Sequence, residues 1–207
     1  APSLLLDAAP TLSDQLGRAQ LIAHETAHMW FGDLVTMRWF NDVWTKEVFA
    51  NFMADKMVSP AFPGVDYALR FLVNHYPAAY AVDRSGGANP IRQALPNLNQ
   101  AGQMYGAIIY NKAPIMMRQL EALLGEDLFR EGLQEYLQAY AMGNATWPDL
   151  IAILDKKSAT DLHSWSEVWV NTAGRPQFTQ SAGVQADSSV LGQVDASGLQ
   201  RVWPQQF

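Results

Sequence analysis

The sequence contains no cysteine, no long apolar run and no cluster of basic residues. Without cysteine the chain has neither a disulfide framework nor a thiolate metal site. No stretch of 18 consecutive apolar residues occurs, so we expect no membrane-spanning helix. The formal net charge is −6, and the lysines and arginines are scattered, which argues against a nucleic-acid or membrane partner.

The composition and the apolar periodicity of the sequence together favour a packed, mainly α-helical fold. Of the 207 residues 49% are hydrophobic and 16% charged, which supplies a core and excludes a disordered chain. Thr11 and Asp14 form a capping-box pattern that predicts the start of the first helix. Apolar periodicity between Gly- and Pro-rich breaks predicts further helices over about 42–58, 66–83, 101–110, 114–124, 126–141, 146–157 and 161–172.

The composition of the sequence changes after residue 174. The following residues are rich in Gln, Ser, Val and Gly, and short alternating pieces at 177–180, 190–194 and 199–203 predict strands. Three short strands make a poor independent core. We therefore expect a helical region over 1–174 and the start of a β-domain over 175–207.

The most informative stretch is His24-Glu25-Thr26-Ala27-His28. On a helix His24 and His28 lie one turn apart on the same face, so their imidazoles can share a metal ion. Glu25 is rotated about 100° from His24, close enough to reach a water beside that metal. Two histidines without a metal are the alternative, but the flanking apolar residues disfavour it. The pattern indicates a zinc site with Glu25 as general base.

A catalytic zinc site needs a third protein ligand, which we expect to be an acid on a neighbouring helix. Glu47 lies in the next predicted helix, and a turn after Gly32 would fold that helix back antiparallel. Eighteen residues separate His28 from Glu47. We therefore predict one zinc ion per chain, bound by His24, His28 and Glu47.

These residues resemble a known family. The His24-Glu25-x-x-His28 motif, the eighteen-residue spacing to Glu47 and the intervening Trp30-Phe31-Gly32-Asp33-x-Val35-Thr36 are similar to zinc aminopeptidases of the aminopeptidase N and leukotriene hydrolase type, which are gluzincins. The match is specific over 22–52 and weaker to about residue 176. The resemblance implies a thermolysin-like helical catalytic lobe over 1–174 with its N-terminal part missing, and the start of a β-sandwich-like domain over 175–207. It also implies a peptide substrate, and upstream and downstream domains in the full-length enzyme.

The sequence departs from that family in three places. Val48 stands where the family usually has Gly after the ligand Glu. Ala54, with Asp55 beside it, stands where a further acid often follows. Asp33 replaces an Asn, and it either accepts a hydrogen bond from a ligand imidazole or caps the turn after Gly32.

Peptide hydrolysis develops negative charge on the carbonyl oxygen, which a positioned donor should stabilise. The resemblance implies a tyrosine from a Tyr-x-Lys-Gly stretch, and this chain has Tyr110-Asn111-Lys112-Ala113 followed by Pro114. We predict Tyr110 as the oxyanion donor. Tyr105 is the rival but lacks a lysine two positions on, and an ordinary core or rim tyrosine is the structural alternative.

The predicted function is a zinc metalloaminopeptidase that hydrolyses N-terminal peptide bonds with zinc-activated water. The family reads the substrate amine with a Gly-x-Met-Glu-Asn stretch that does not occur in this sequence. We therefore expect a catalytic-domain fragment that is poorly active alone. The alternatives are a leukotriene-hydrolase-like epoxide hydrolase on the same site and a non-catalytic zinc-binding scaffold.

Overall fold

A computed structural model describes residues 4–182 and 189–205 of the chain. Within these residues the chain forms seven α-helices, so the mainly α prediction is confirmed. The helices are α1 (Leu12–Ala27), α2 (Val43–Val58), α3 (Tyr67–Asp83), α4 (Ala113–Leu124), α5 (Glu126–Ala139), α6 (Trp147–Asp155) and α7 (Leu162–Ser166). The strands are β1 (Val35–Met37), β2 (Gly143–Ala145), β3 (Pro176–Ala182) and β4 (Ser189–Asp195).

The first helix begins with the predicted capping box. Asp14 N donates to Thr11 Oγ1 at 3.2 Å, and Thr11 N donates to Asp14 Oδ2 at 2.9 Å, which satisfies two otherwise unpaired backbone donors. The helix ends at Ala27, and His28 is its C-cap. The chain then turns sharply through Gly32, whose φ is +134°.

Helices α1 and α2 pack antiparallel, as predicted. Their shared apolar surface consists of Leu16 and Ala23 from α1 and Ala54 and Val58 from α2. Near the middle of the pair, the Gln20 amide donates to Asp55 Oδ1 at 2.6 Å. This packing brings the C-terminal end of α1 to the first turns of α2.

The main hydrophobic core surrounds α2. Trp44, Val48 and Phe49 are at most 2% exposed, and Phe49 stacks on Phe31 with ring centroids 4.6 Å apart. Full burial of one such side chain contributes about 1.5–3 kcal/mol to folding. Helices α4 and α6 complete this core with Met116, Met117, Leu120, Leu150 and Leu154. Val48, which replaces a glycine of the resembled family, is therefore a core residue.

The prediction of an α-helix over 101–110 is wrong. The chain forms a 3₁₀ helix over Leu98–Met104 and then a π-helical turn over Ile108–Lys112 that leads into α4. A second π-helical turn, Glu167–Asn171, follows α7. Such turns shift the helical register, which a search for 3.6-residue periodicity misses.

Two small sheets are present. Strands β3 and β4 form the predicted antiparallel hairpin, with Pro176 opposite Asp195. Strands β1 and β2 pair in parallel, with Val35 opposite Gly143, and the sequence did not predict them because three residues are too few for an alternating pattern. None of the helices in the two described ranges is long and apolar enough to span a bilayer.

The third predicted strand, over 199–203, is also wrong. Instead Trp203 is fully buried within the helical core. The next residue, Pro204, accepts hydrogen bonds from Trp165 Nε1 at 3.3 Å and Trp169 Nε1 at 3.1 Å. The segment after the hairpin therefore packs against α7 and the turn that follows it.

We expect Trp203→Ala to lower the free energy of unfolding by about 3–5 kcal/mol, because it leaves a large cavity in the core. The matched control is Val202→Ala, whose side chain is 58% exposed and whose loss should change stability by less than about 0.5 kcal/mol. Denaturant titration followed by tryptophan fluorescence and circular dichroism measures both. Equal stabilities of the two variants would contradict the docking of this segment.

Candidate metal centre

The three predicted ligands converge on one point. His24 lies in the last turn of α1, His28 caps that helix, and Glu47 lies in the second turn of α2. The Nε2 atoms of the two histidines are 3.1 Å apart. Glu47 Oε2 is 3.6 Å from His24 Nε2 and 3.9 Å from His28 Nε2.

Hydrogen bonds on the far side of each ring fix the histidine tautomers. His28 Nδ1 lies 3.0 Å from the Phe31 carbonyl oxygen, which can only accept, so Nδ1 carries the proton. His24 Nδ1 lies 2.9 Å from Asn51 Oδ1 in the same arrangement. Both Nε2 atoms therefore present lone pairs to each other and to the carboxylate, an arrangement that a cation between them would stabilise.

The spacing and chemistry of these atoms fit zinc. Zinc binds histidine nitrogen and carboxylate oxygen at about 2.0–2.2 Å, which places tetrahedral ligand atoms about 3.3–3.5 Å from one another. The three observed separations bracket that value. In the described ranges, His24, His28 and Glu47 are the His, Cys, Asp or Glu side chains whose ligand atoms lie close enough together to hold a metal ion.

The carboxylate of Glu47 supplies the negative charge of the centre. Its Oε1 accepts a 2.6 Å hydrogen bond from Lys46 Nζ, which leaves Oε2 facing the imidazoles. Burial opposes ionisation, but the contacts with His24 and Lys46 outweigh it and lower the pKa of Glu47 to about 2. The Glu47 carboxylate in turn raises the pKa of His24, so the centre favours positive charge.

The turn between the two helices requires glycine at position 32. A Cβ atom there would lie 3.4 Å from His28 Nδ1 and 3.6 Å from Lys46 Cβ, at a φ of +134° that side chains rarely adopt. Asp33 donates its backbone N–H to the His28 carbonyl at 3.0 Å. The imidazole Nδ1 atoms are paired with Asn51 and the Phe31 carbonyl, so neither is left for the Asp33 carboxylate.

A cleft of about 730 Å³ opens beside this centre. Its walls include His24, Glu25 and Tyr110, so the predicted base and oxyanion donor face the same space as one of the ligands. Glu25 is exposed, and its carboxylate has no ion pair or hydrogen bond within the part of the chain that the structure describes. That carboxylate is free to accept a proton from a molecule bound in the cleft.

Tyr110 enters the cleft from the first π-helical turn. Its backbone N–H donates to the Gly106 carbonyl at 2.9 Å, and its own carbonyl lies 3.2 Å from His75 Nδ1. The side chain is 38% exposed. Partial burial, followed by the nearby Glu47 charge, raises the pKa of Tyr110, so its hydroxyl stays protonated at neutral pH. The rival Tyr105 lies beside it, with ring centroids 6.4 Å apart, but does not line this cleft.

A buried ion pair anchors the turn that carries Tyr110. Lys112 is 3% exposed, and its Nζ lies 2.9 Å from Asp83 Oδ2 at the end of α3. The same ammonium donates to the Gly174 carbonyl at 2.8 Å. The turn is thereby fixed to α3 and to the segment that precedes β3.

The sequence did not predict three residues that shape the site. Asn51 lies four positions after Glu47, on the same face of α2, and this spacing could have indicated it as an imidazole partner. Lys46 precedes the ligand, but its contact with Glu47 has no pattern of its own. His75, which belongs to none of the sequence motifs, lies in the cleft wall against the Tyr110 backbone.

The chain is similar to known peptidases. The Peptidase family M1 domain matches residues 1–169. The chain is 37% identical over 172 residues to aminopeptidase N of Streptomyces lividans. The alignment covers 80% of this chain and 20% of that protein. It is 33% identical over 179 residues to leucyl aminopeptidase of Saccharolobus solfataricus. That alignment covers 86% of this chain and 23% of the relative.

A third relative is probable aminopeptidase 1 of Sulfurisphaera tokodaii, 32% identical over 186 residues. The alignment covers 90% of this chain and 23% of that protein. The chain thus spans between a fifth and a quarter of the length of these curated relatives.

We expect Glu47→Ala to lose zinc, because it removes one of three protein ligands. Glu25→Gln is the matched control, since it changes a neighbouring acid but leaves all three ligand atoms in place. Elemental analysis of the two purified proteins should find about one zinc per chain in the control and little in Glu47→Ala. Equal zinc loss in both would overturn the assignment of Glu47 and Glu25 to different roles.

We expect Asn51→Ala to weaken zinc binding by about 10–100-fold, because His24 loses the acceptor that orients its ring. Competition with a chromogenic chelator measures the affinity. Asn99→Ala, at an exposed position away from the cleft, should leave the affinity unchanged. If Asn51→Ala binds zinc as the unaltered protein does, the His24–Asn51 contact does not orient the ligand.

Proposed function

The chain belongs to peptidase family M1, and from this premise we propose that it carries the catalytic centre of a zinc aminopeptidase. The proposed reaction is hydrolysis of the N-terminal peptide bond of a peptide. The proposed ligands of one zinc ion are His24, His28 and Glu47, and the proposed catalytic residues are Glu25 and Tyr110.

One observation carries the proposal: Glu25 and Tyr110 face a cleft that is also lined by His24. A base, an oxyanion donor and a metal-binding group are the three functions that zinc-assisted amide hydrolysis uses. The names of the three relatives, all aminopeptidases, support the choice of a peptide bond at the N-terminus.

Zinc, when bound, supplies Lewis acidity and brings the deprotonation of water near neutral pH. The Glu25 carboxylate takes the proton from the attacking water, and the same carboxyl group then gives it to the leaving amine. Its exposure to the cleft and its lack of a partner in the described ranges leave it available for both transfers.

Tyr110 acts on the other side of the reacting carbonyl. Its hydroxyl donates a hydrogen bond to the oxygen that gains negative charge as water adds. Because its pKa is raised, the donor proton is present across the neutral range. The Lys112–Asp83 ion pair and the His75 contact keep the backbone beneath this hydroxyl in place.

We also propose that other domains complete the cleft. The relatives are four to five times longer than the aligned segments, which supports partner domains on either side of this one. We assign the recognition of the substrate amine to those domains. We also propose that residues 175–207 begin a β-sandwich-like domain.

Zinc content and hydrolysis of an aminoacyl p-nitroanilide, measured together on the complete gene product, test the proposal. A chelator should abolish turnover, and one equivalent of zinc should restore it. Glu25→Gln should bind zinc and remain inactive. A zinc-loaded protein that hydrolyses neither aminoacyl amides nor peptides would contradict the proposal.

We expect Tyr110→Phe to lower kcat by about 10²–10³-fold, or about 2.7–4 kcal/mol, because one oxyanion donor is lost. Zinc content should not change, since the hydroxyl is not among the three proposed ligand groups. Tyr105→Phe is the control and should have a much smaller effect on kcat. If the large loss follows Tyr105→Phe instead, the oxyanion donor is Tyr105.

A further inference from the structure

The cleft extends well beyond the metal centre. Its far walls are formed by α3 and α4, and they carry Arg70 and Arg118. Pro114, Arg118 and Glu121 face the cleft from successive turns of α4, as expected for positions three and four residues apart. A volume of about 730 Å³ exceeds what a metal centre alone requires and suits a small ligand or part of a peptide.

Neither arginine forms an ion pair with a described acidic residue. In the described part of the chain, no carboxylate oxygen lies within 4 Å of the Arg70 or Arg118 guanidinium, whereas Lys56 in the same cleft contacts Glu121 at 2.7 Å and Glu126 at 3.1 Å. These two acids thus pair with a lysine and not with either arginine.

Packing holds one of the two guanidinium groups in place. Arg118 Cζ lies 4.0 Å from the centroid of the Phe71 ring, a cation–π contact that restrains the position of the guanidinium. The edge of a guanidinium carries several N–H donors that can bind a carboxylate in a bidentate manner.

The positive charges of the two arginines reach the same region of the cleft. Burial raises the pKa of Asp55, and the charges of both Arg118 and Arg70 oppose that rise. Both guanidinium groups therefore lie within electrostatic range of one carboxyl group. Asp55 accepts its hydrogen bond from Gln20 at 2.6 Å and leaves the arginine N–H groups to another acceptor.

We propose that Arg70 and Arg118 form a carboxylate-binding subsite for the C-terminal side of a short peptide substrate. This inference rests on the proposed peptidase function. Arg118 lies eight residues after Tyr110, which is about 12 Å along a helix. An extended peptide covers that distance in three to four residues, so the carboxylate would lie about three residues beyond the bond that is cleaved.

The substrates for the test are tetra-alanine and its C-terminal amide, compared by kcat/KM on the complete, zinc-loaded gene product. We expect the free acid to be preferred by about tenfold, the effect of one charge-assisted hydrogen-bonded contact. Arg70→Met and Arg118→Met should each reduce this preference toward one. Arg130→Met is the control, because Arg130 is exposed, pairs with Asp127 and lies outside the cleft.

A second pair of substrates separates the two sources of a carboxylate. Ala-Ala-Ala-Glu-amide and Ala-Ala-Ala-Gln-amide differ in the side-chain carboxylate alone. A preference for Glu that both arginine variants remove assigns the subsite to acidic side chains as well as to the C-terminus. A preference confined to tetra-alanine over its amide assigns it to the C-terminus.

The outcomes distinguish failure of the subsite from failure of the proposed function. If no peptide and no aminoacyl p-nitroanilide is hydrolysed, the proposed function is wrong and the subsite falls with it. If the wild-type protein hydrolyses acid and amide equally well, the subsite alone is wrong. A preference that survives in both arginine variants overturns it too. Hydrolysis of the p-nitroanilide, which has no carboxylate, should stay within about twofold in the Arg130→Met control.

Discussion

Two imidazole nitrogens and one carboxylate oxygen meet within 3.9 Å of one another, and their lone pairs repel unless positive charge lies among them. The packing of α1 against α2 enforces this meeting, because a separate apolar cluster holds the two helices together. Lys46 offsets part of the charge from the outer side of Glu47. A divalent cation would offset the rest, and the remainder of the site is arranged around that requirement.

Each proposed ligand atom is oriented by a neighbouring group that does not itself face the centre. Asn51 and the Phe31 carbonyl hold the two rings by their Nδ1 atoms, and Lys46 holds the carboxylate. The turn that supplies the Phe31 carbonyl is possible because Gly32 leaves room for His28 and Lys46. Preorganisation of this kind raises metal affinity because little ordering remains to be done when the ion binds.

The reacting side of the cleft depends on a different set of contacts. Tyr110 is carried by a π-helical turn whose position is fixed by the buried Lys112–Asp83 pair and by the Gly174 carbonyl. Gly174 stands where the helical region ends, and beyond it the hairpin returns Trp203 to the helical core. The orientation of the proposed oxyanion donor is thus linked to the C-terminal segment, and another wall of the same cleft carries the arginines of the proposed carboxylate subsite.

The sequence by itself determined the features that follow from local periodicity: the helix start at Thr11, the one-turn spacing of His24 and His28, and the place of Glu25 beside them. With the family resemblance it also indicated Glu47 and Tyr110. Only the tertiary structure decided which groups orient those residues, where Trp203 packs, and that Arg70 and Arg118 line the same cleft as Tyr110. The reason is physical. Helical spacing is fixed by backbone hydrogen bonds four residues apart, whereas contacts between distant segments depend on how whole helices pack, which no local pattern records.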